Sequence, residues 1–272
     1  MVTTVRINDM LMEALLYLIT PCSRNARRLG FLQESVAIIA RHRRCRNAWT
    51  PHLVRSKQTI LEAMRRTVGQ HRAVILGAGL DYDLPLTELA DHFDEVLLVD
   101  LVHSPRIRLA AWRARNIRLV THDVTECLAQ LVKGQDNITQ PSRFLDDPLV
   151  DLVVSLNIAS QLPMLPARFL ENRKGKTEAE TEAVGRALVE AHFNYLARFR
   201  ANVCLITDVE REILGPEGCL IKRISALCEA EVPWAGPTWL WDIAPLGEED
   251  WSYALRNRVI GIPCLSGSER VE

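Results

Sequence analysis

Short, dense apolar runs alternate with longer amphipathic stretches through the middle of the chain. Residues 73–76, 95–99, 117–120, 151–156 and 203–207 are rich in leucine and β-branched side chains and read as buried strands. The segments between them, at 84–92, 105–114 and 177–199, carry helical spacing. Such alternation predicts a parallel sheet with helices on both faces. Near the end the pattern changes. Residues 238–243 alternate in period two, and 256–262 form a seventh strand candidate. Their connection is too poor in helical length for a parallel crossover. The expectation is therefore an α/β fold, doubly wound and mostly parallel, with seven strands and an antiparallel C-terminal hairpin.

Before the first strand the apolar positions are helical. Residues 6–19 and 29–42 are two candidates, the second with Leu32, Val36 and Ile39 on one face. The apolar stretch at 10–19 reads as a helix facing the core. Trp49-Thr50-Pro51 predicts a break, with Thr50 capping a helix over 51–68 that turns Leu53, Ile60, Leu61 and Met64 inward. The organisation that follows is an N-terminal helical subdomain at 1–69, serving as lid or substrate selector, a ligand-binding domain at 70–265, and a tail at 266–272. Residues 134–147 and 172–176 are polar and bear glycine or proline, and read as loops.

Composition narrows the class. The chain has 272 residues, 48% hydrophobic and 25% charged, in the range of ordinary soluble globular proteins. A net charge of -1 argues against a general polyanion binder. The charge is uneven, however: residues 1–72 hold 13 Lys and Arg against 4 Asp and Glu, and the remainder holds 20 against 30. Either the basic helices dock on the acidic body or they meet an anionic partner; the first reading is preferred. Seven irregularly spaced cysteines with no CxxC give neither a zinc pattern nor a disulfide framework. The apolar stretch at 10–19 is too short for a bilayer and has no basic leader, so a cytoplasmic location without membrane contact is expected.

The candidate chemistry lies at strand ends. The first strand stops at Gly77-Ala78-Gly79, where the absence of Cβ lets backbone approach a ligand or simply makes a tight turn. Asp100 ends the next strand, 21 residues past Gly79, at a spacing suited to a ribose diol. Its alternative is capping or solvation. Asp123 ends the third strand and can accept an adenine amine, with Val124 against the ring, or can cap a helix. All three stand at carboxyl ends of consecutive strands, where open α/β sheets bind ligands. A dinucleotide turn wants Gly or Ala at the sixth position, which here is Tyr82, and no Walker pattern occurs.

This set of motifs resembles the class I S-adenosylmethionine-dependent methyltransferases over about residues 70–263. The resemblance implies a Rossmann-like methyltransferase fold with S-adenosyl-L-methionine as cofactor. It places Gly77, Gly79 and Asp81 at the methionine part, Asp100 at the ribose with Leu101 beside the adenine, and Asp123 with Val124 at the base. It puts Asn157, after the fourth strand, near the reacting methyl. The family often has an acidic residue where Ile75 stands, so Asp81 or Asp83 would substitute. Similar N-terminal extensions use an arginine for the cofactor carboxylate, which makes Arg55 a candidate, with a solvated face as its alternative. His192 is a candidate base, or a partly buried helix histidine. The polar run after the fourth strand, with Ser160 and Gln161, lacks the Asn/Asp-Pro-Pro-aromatic signature of nucleobase amino methylation. A small-molecule substrate is expected rather than a protein or nucleic acid, and no metal. The alternatives are an NAD or nucleotide-sugar protein of Rossmann type, and a binding protein without turnover.

Overall fold

The computed structural model describes residues 2–135 and 137–268, with no account of the side chains of 2–9. Four helices lead: α1 (Val2–Ile19), α2 (Arg24–Leu29), α3 (Phe31–Arg44) and α4 (Arg46–Arg65). The alternating body follows: β1 (Arg72–Leu76), α5 (Leu86–His92), β2 (Glu95–Asp100), α6 (Pro105–Arg113), β3 (Ile117–Thr121), α7 (Leu128–Lys133), β4 (Val150–Leu156), α8 (Met164–Lys174), α9 (Glu178–Ala197) and β5 (Asn202–Leu214). The chain closes with β6 (Leu220–Ser225), β7 (Thr238–Ala244) and β8 (Ala254–Ile262).

The sheet order is β3-β2-β1-β4-β5-β8-β7, with β6 paired to the extension of β5. β1 to β5 run parallel, and β8 is antiparallel to both β5 and β7. This is the doubly wound sheet with its antiparallel C-terminal pair that the sequence pattern implied. Alternation along the strands builds two cores. Ala73, Ile75, Leu152, Val154, Cys204 and Ile206 face α4, together with Trp239, Trp241 and Val259. Val74, Leu76, Val153, Val203 and Leu205 face α9. The thiols of all seven cysteines are free.

Four local expectations are corrected. Pro51 does not start a helix: α4 runs through it from Arg46. Trp49 is buried against Trp241 and donates its indole N–H to Ile243 O at 3.0 Å, so tertiary packing holds the turn in which Pro51 lacks an amide. The helix expected over 29–42 is α3, which starts only after Gly30 at φ +92°, and the short α2 that Gly30 closes stands before it unforeseen. Helix α8 runs to Lys174 across the expected loop, ending at Gly175. α1 touches α3 through Leu16 and Tyr17 and leaves Leu11, Leu15 and Leu18 exposed, rather than facing the core. β6 was not expected. It is exposed along its length and carries no apolar run to announce it.

Two of the basic residues of α3 pair with the acidic body. Arg41 pairs with Glu249 at 2.7 Å and Arg44 with Glu248 at 2.7 Å, tying α3 to the loop between β7 and β8. Among the described residues no helix is long and apolar enough to cross a membrane. The last four residues of the expected tail lie outside the described residues.

Candidate cofactor crevice

Gly77 and Asp100 converge because β1 and β2 pair in register and end together. At Gly77, φ is +86°, and a Cβ would stand 2.5 Å from Leu156 O, so only glycine fits between β1 and β4. At Gly79 a Cβ would meet Val102 O at 2.5 Å and the Asp100 carboxyl at 2.9 Å. The Gly79 N–H donates to Asp100 Oδ2 at 2.9 Å, and the Val102 N–H donates to Oδ1 at 3.1 Å. Burial pushes the Asp100 carboxyl up, and these backbone donors oppose that shift. Beside it, burial lowers His103, the Asp100 carboxylate opposes that shift, and the His103 Nε2–H donates to Leu98 O at 2.9 Å. The helix cap expected of Asp100 belongs instead to Ser104, which accepts from the Ile107 N–H.

A cavity of about 80 Å³ opens at these strand ends, bounded by Gly77, Asp100, Leu101, Asp123, Val124 and Asn157. Phe31 of α3 stands on its rim. Asp123 both faces the cavity and works locally: Oδ1 accepts from the Thr125 N–H and hydroxyl, and Oδ2 from the Leu128 N–H at 2.8 Å. The two readings of Asp123 are thus compatible, since each carboxylate oxygen has a second lone pair. A larger depression, about 580 Å³, lies at the opposite, amino ends of β1, β4 and β5. It lacks the glycine turn, and open α/β sheets bind ligands at carboxyl ends.

Asn157 is held in the left-handed region at φ +49°, buried at the end of β4. Its backbone N–H donates to Ile206 O at 2.8 Å, and its Nδ2 donates to Asp83 Oδ2 at 2.8 Å. Asp83 is half-buried, and desolvation lifts its carboxyl to about 6. The side-chain amide also stands 3.4 Å from His52 Nε2 on α4. Burial holds His52 down to about 3, so it is neutral.

Three sequence candidates stand away from the cavity. Arg55 is on the exposed side of α4. Asp81 pairs with Arg106 at 2.8 Å, while Tyr82 stacks on His42 of α3 at 3.7 Å. His192 lies under the sheet on the α9 face, with Nε2 2.8 Å from Ser155 Oγ; burial takes it down to about 4. Conversely, Phe31 and Ile158 line the crevice, and His52 stands behind Asn157, without a motif to mark them. The one available signal for His52 is its place on the buried helical face shared with Ser56, Ile60 and Ala63. No group of His, Cys, Asp and Glu among the described residues is arranged to hold a metal.

The donor set fits a nucleoside with a free diol: a buried carboxylate, a second carboxylate one strand further, and apolar walls from Leu101, Val124 and Ile158. No family model and no curated protein matches the chain. Solved structures similar to it include the N-methyltransferase NodS from Bradyrhizobium japonicum WM9, 14% identical over 75% of this chain and 93% of that one, TM-score 0.34. Another is a DhpI–SAM–HEP complex, 13% identical, covering 88% and 99%, TM-score 0.35. A third is the 1,6-didemethyltoxoflavin-N1-methyltransferase of Burkholderia thailandensis with bound 1,6-didemethyltoxoflavin and S-adenosylhomocysteine, 14% identical, covering 88% and 91%, TM-score 0.36. With parallel strands, an antiparallel strand inserted before the last, and the glycine turn facing an acidic strand end, the chain has the doubly wound, mostly parallel sheet that the sequence resemblance implied.

Proposed function

We propose that this protein binds S-adenosylmethionine and transfers its methyl group to a small molecule. The observation that carries the reading is the Asp100 carboxylate, fixed by the Gly79 and Val102 amides on the wall of a cavity shared with Gly77. A carboxylate so placed accepts from both hydroxyls of an unphosphorylated ribose. Leu101, Val124 and Ile158 enclose the base, with Asp123 at its amine. Asn157 and Asp83 stand at the methionine end. The bound cofactor supplies the activated carbon; the chain's own task is to orient the reactants and exclude water.

Pockets for drug-sized ligands span about 300–1,000 Å³, well above the 80 Å³ of this crevice. α2 and α3 therefore act as a lid, with Phe31 displaced when ligand enters. Calorimetric titration with S-adenosylmethionine, S-adenosylhomocysteine and NAD tests the reading. Binding of the two sulfur compounds is expected. Binding of NAD alone would reverse it in favour of a dinucleotide protein.

A further inference from the structure

Helix α1 is apolar on two opposite sides. Glu13, Leu16, Tyr17 and Thr20 stand at i, i+3, i+4 and i+7 and turn toward α3. Thr20 is buried, Leu16 and Tyr17 pack with Leu32 and Val36, and Glu13 lies 3.9 Å from Arg44. On the other side, every exposed position from 10 to 19 carries an apolar side chain. Its spine is Leu11, Leu15 and Leu18, at i, i+4 and i+7, which are 65%, 50% and 79% exposed, with Met12 and Ile19 beside them. A helix that is apolar all round is ordinarily a buried one, yet α3 covers only one side of α1.

The uncovered side presents about 600 Å² of apolar surface, a size at which a patch on a soluble chain marks an interaction site. Its chemistry narrows the occupant. No Lys or Arg stands between Arg6 and Arg24. A helix that lies on a bilayer carries Lys and Arg on its polar face, so a lipid surface fits poorly. The one charge from 10 to 19, Glu13, is on the α3 side, so the strip offers nothing to a charged partner. What matches it is another wholly apolar strip of the same length. We propose that α1 pairs with the α1 of a second copy of this chain, about a two-fold axis beside Leu15.

Leu15 is the midpoint of the strip from Leu11 to Ile19, so an axis there sets each apolar side chain against another, as an isologous contact needs. The i, i+4, i+7 spacing is that of a helix-pair seam. Two such faces bury about 1,200 Å² together, the lower edge of a stable, specific interface. The contact also reaches the crevice. Leu16 and Tyr17 share a packed cluster with Phe31 and Leu101, and both of those line the crevice. A second copy on the outer side of α1 therefore clamps the layer that holds Phe31. The pairing stands whether or not the crevice takes S-adenosylmethionine.

The test is sedimentation velocity of the full chain at micromolar concentrations. A species of twice the 30.8 kDa of one chain is expected. Leu15→Glu and Leu18→Glu each place an unpaired carboxylate in the seam and weaken the dimer at least about tenfold. Leu109→Glu, at an exposed leucine of α6, leaves it unchanged. Leu15→Lys alone is also weak, and mixing it with Leu15→Glu restores the dimer because the two positions meet at the axis. If a variant does not fold, amide exchange of the wild type decides: exchange over 10–19 slows as concentration rises. A wild type that stays monomeric, a dimer untouched by both glutamates, no recovery in the mixture, or exchange independent of concentration overturns the proposal. A monomer that co-sediments with phosphatidylcholine–phosphatidylserine vesicles, and loses this in Leu15→Glu, overturns it in favour of a bilayer.

Discussion

Replacing Asp100 with Asn separates the two tasks that one carboxylate performs. In the native chain both oxygens accept backbone N–H groups, from Gly79 at 2.9 Å and Val102 at 3.1 Å. The amide has one oxygen, so one of these donors meets an NH2 group instead and is left unsatisfied. A buried donor without a partner costs about 1–3 kcal/mol. Relief of the desolvated charge offsets part of that, because burial already opposes ionisation of Asp100. The expected loss of stability is therefore at the lower end, about 1–2 kcal/mol, readable as a lower urea midpoint with unchanged slope. Ligand binding suffers more. A hydrogen bond to a charged group contributes about 1.5–3 kcal/mol, and the variant loses at least one to the ribose. At 1.4 kcal/mol per tenfold, the affinity for S-adenosylhomocysteine falls by about ten- to a hundredfold. Titration calorimetry on the folded variant measures it. Affinity within twofold of wild type would refute both the diol assignment and the reasoning from geometry.

Gly77→Ala is expected to destabilise the fold by more than the 1–2 kcal/mol that the left-handed conformation alone costs, about, because its Cβ meets Leu156 O at 2.5 Å; a thermal midpoint equal to wild type would refute the contact. Asp81→Ala removes only an exposed pair with Arg106, so stability changes by less than about 1 kcal/mol and S-adenosylhomocysteine affinity stays unchanged; a large affinity loss would return Asp81 to the site. Asp208→Asn changes the response to acid. Burial lifts this carboxyl from its ordinary 3.8 to about 6, so the folded chain takes up that proton first as pH falls, gaining stability between 6 and 3.8 that the variant lacks. Relative to wild type, the variant loses about 2 kcal/mol of unfolding free energy between pH 7 and 4, measured by urea titration, and a pH-independent difference would refute it.

Much of the sheet was legible because its strands are buried on both faces and read as unbroken apolar runs. β1 to β5 each declared themselves in this way, and β7 did so by alternation. What escaped was structure whose signal is not apolar. β6 is solvent-exposed at nearly every position. Pro51 is a sound local reason to end a helix, and it lost to the burial of Trp49 and its bond to Ile243, 194 residues away. Helix α2 escaped because its six residues, Arg24–Leu29, carry three arginines and too short an apolar pattern to show a period.

The site divides along the same line. Gly77, Asp100 and Asp123 are adjacent to strand ends in sequence, and any parallel sheet brings consecutive strand ends together, so local pattern plus topology was enough to assemble them. His52, Asp208 and Asn257 come from a leading helix and from β5 and β8, and only His52 stands next to Asn157. Their chemistry is invisible in one dimension: each is a lone polar residue in an apolar surrounding, which from sequence reads as a satisfied core position. The structure distinguishes the two cases by whether partners are present. All three have partners: His52 accepts from Trp239, Asp208 accepts from Ser160 and Asn257, and Asn257 accepts from Arg211. The crevice is built from strand ends that local pattern marks, whereas the polar core between α4 and the C-terminal strands is assembled by contacts between residues far apart in sequence.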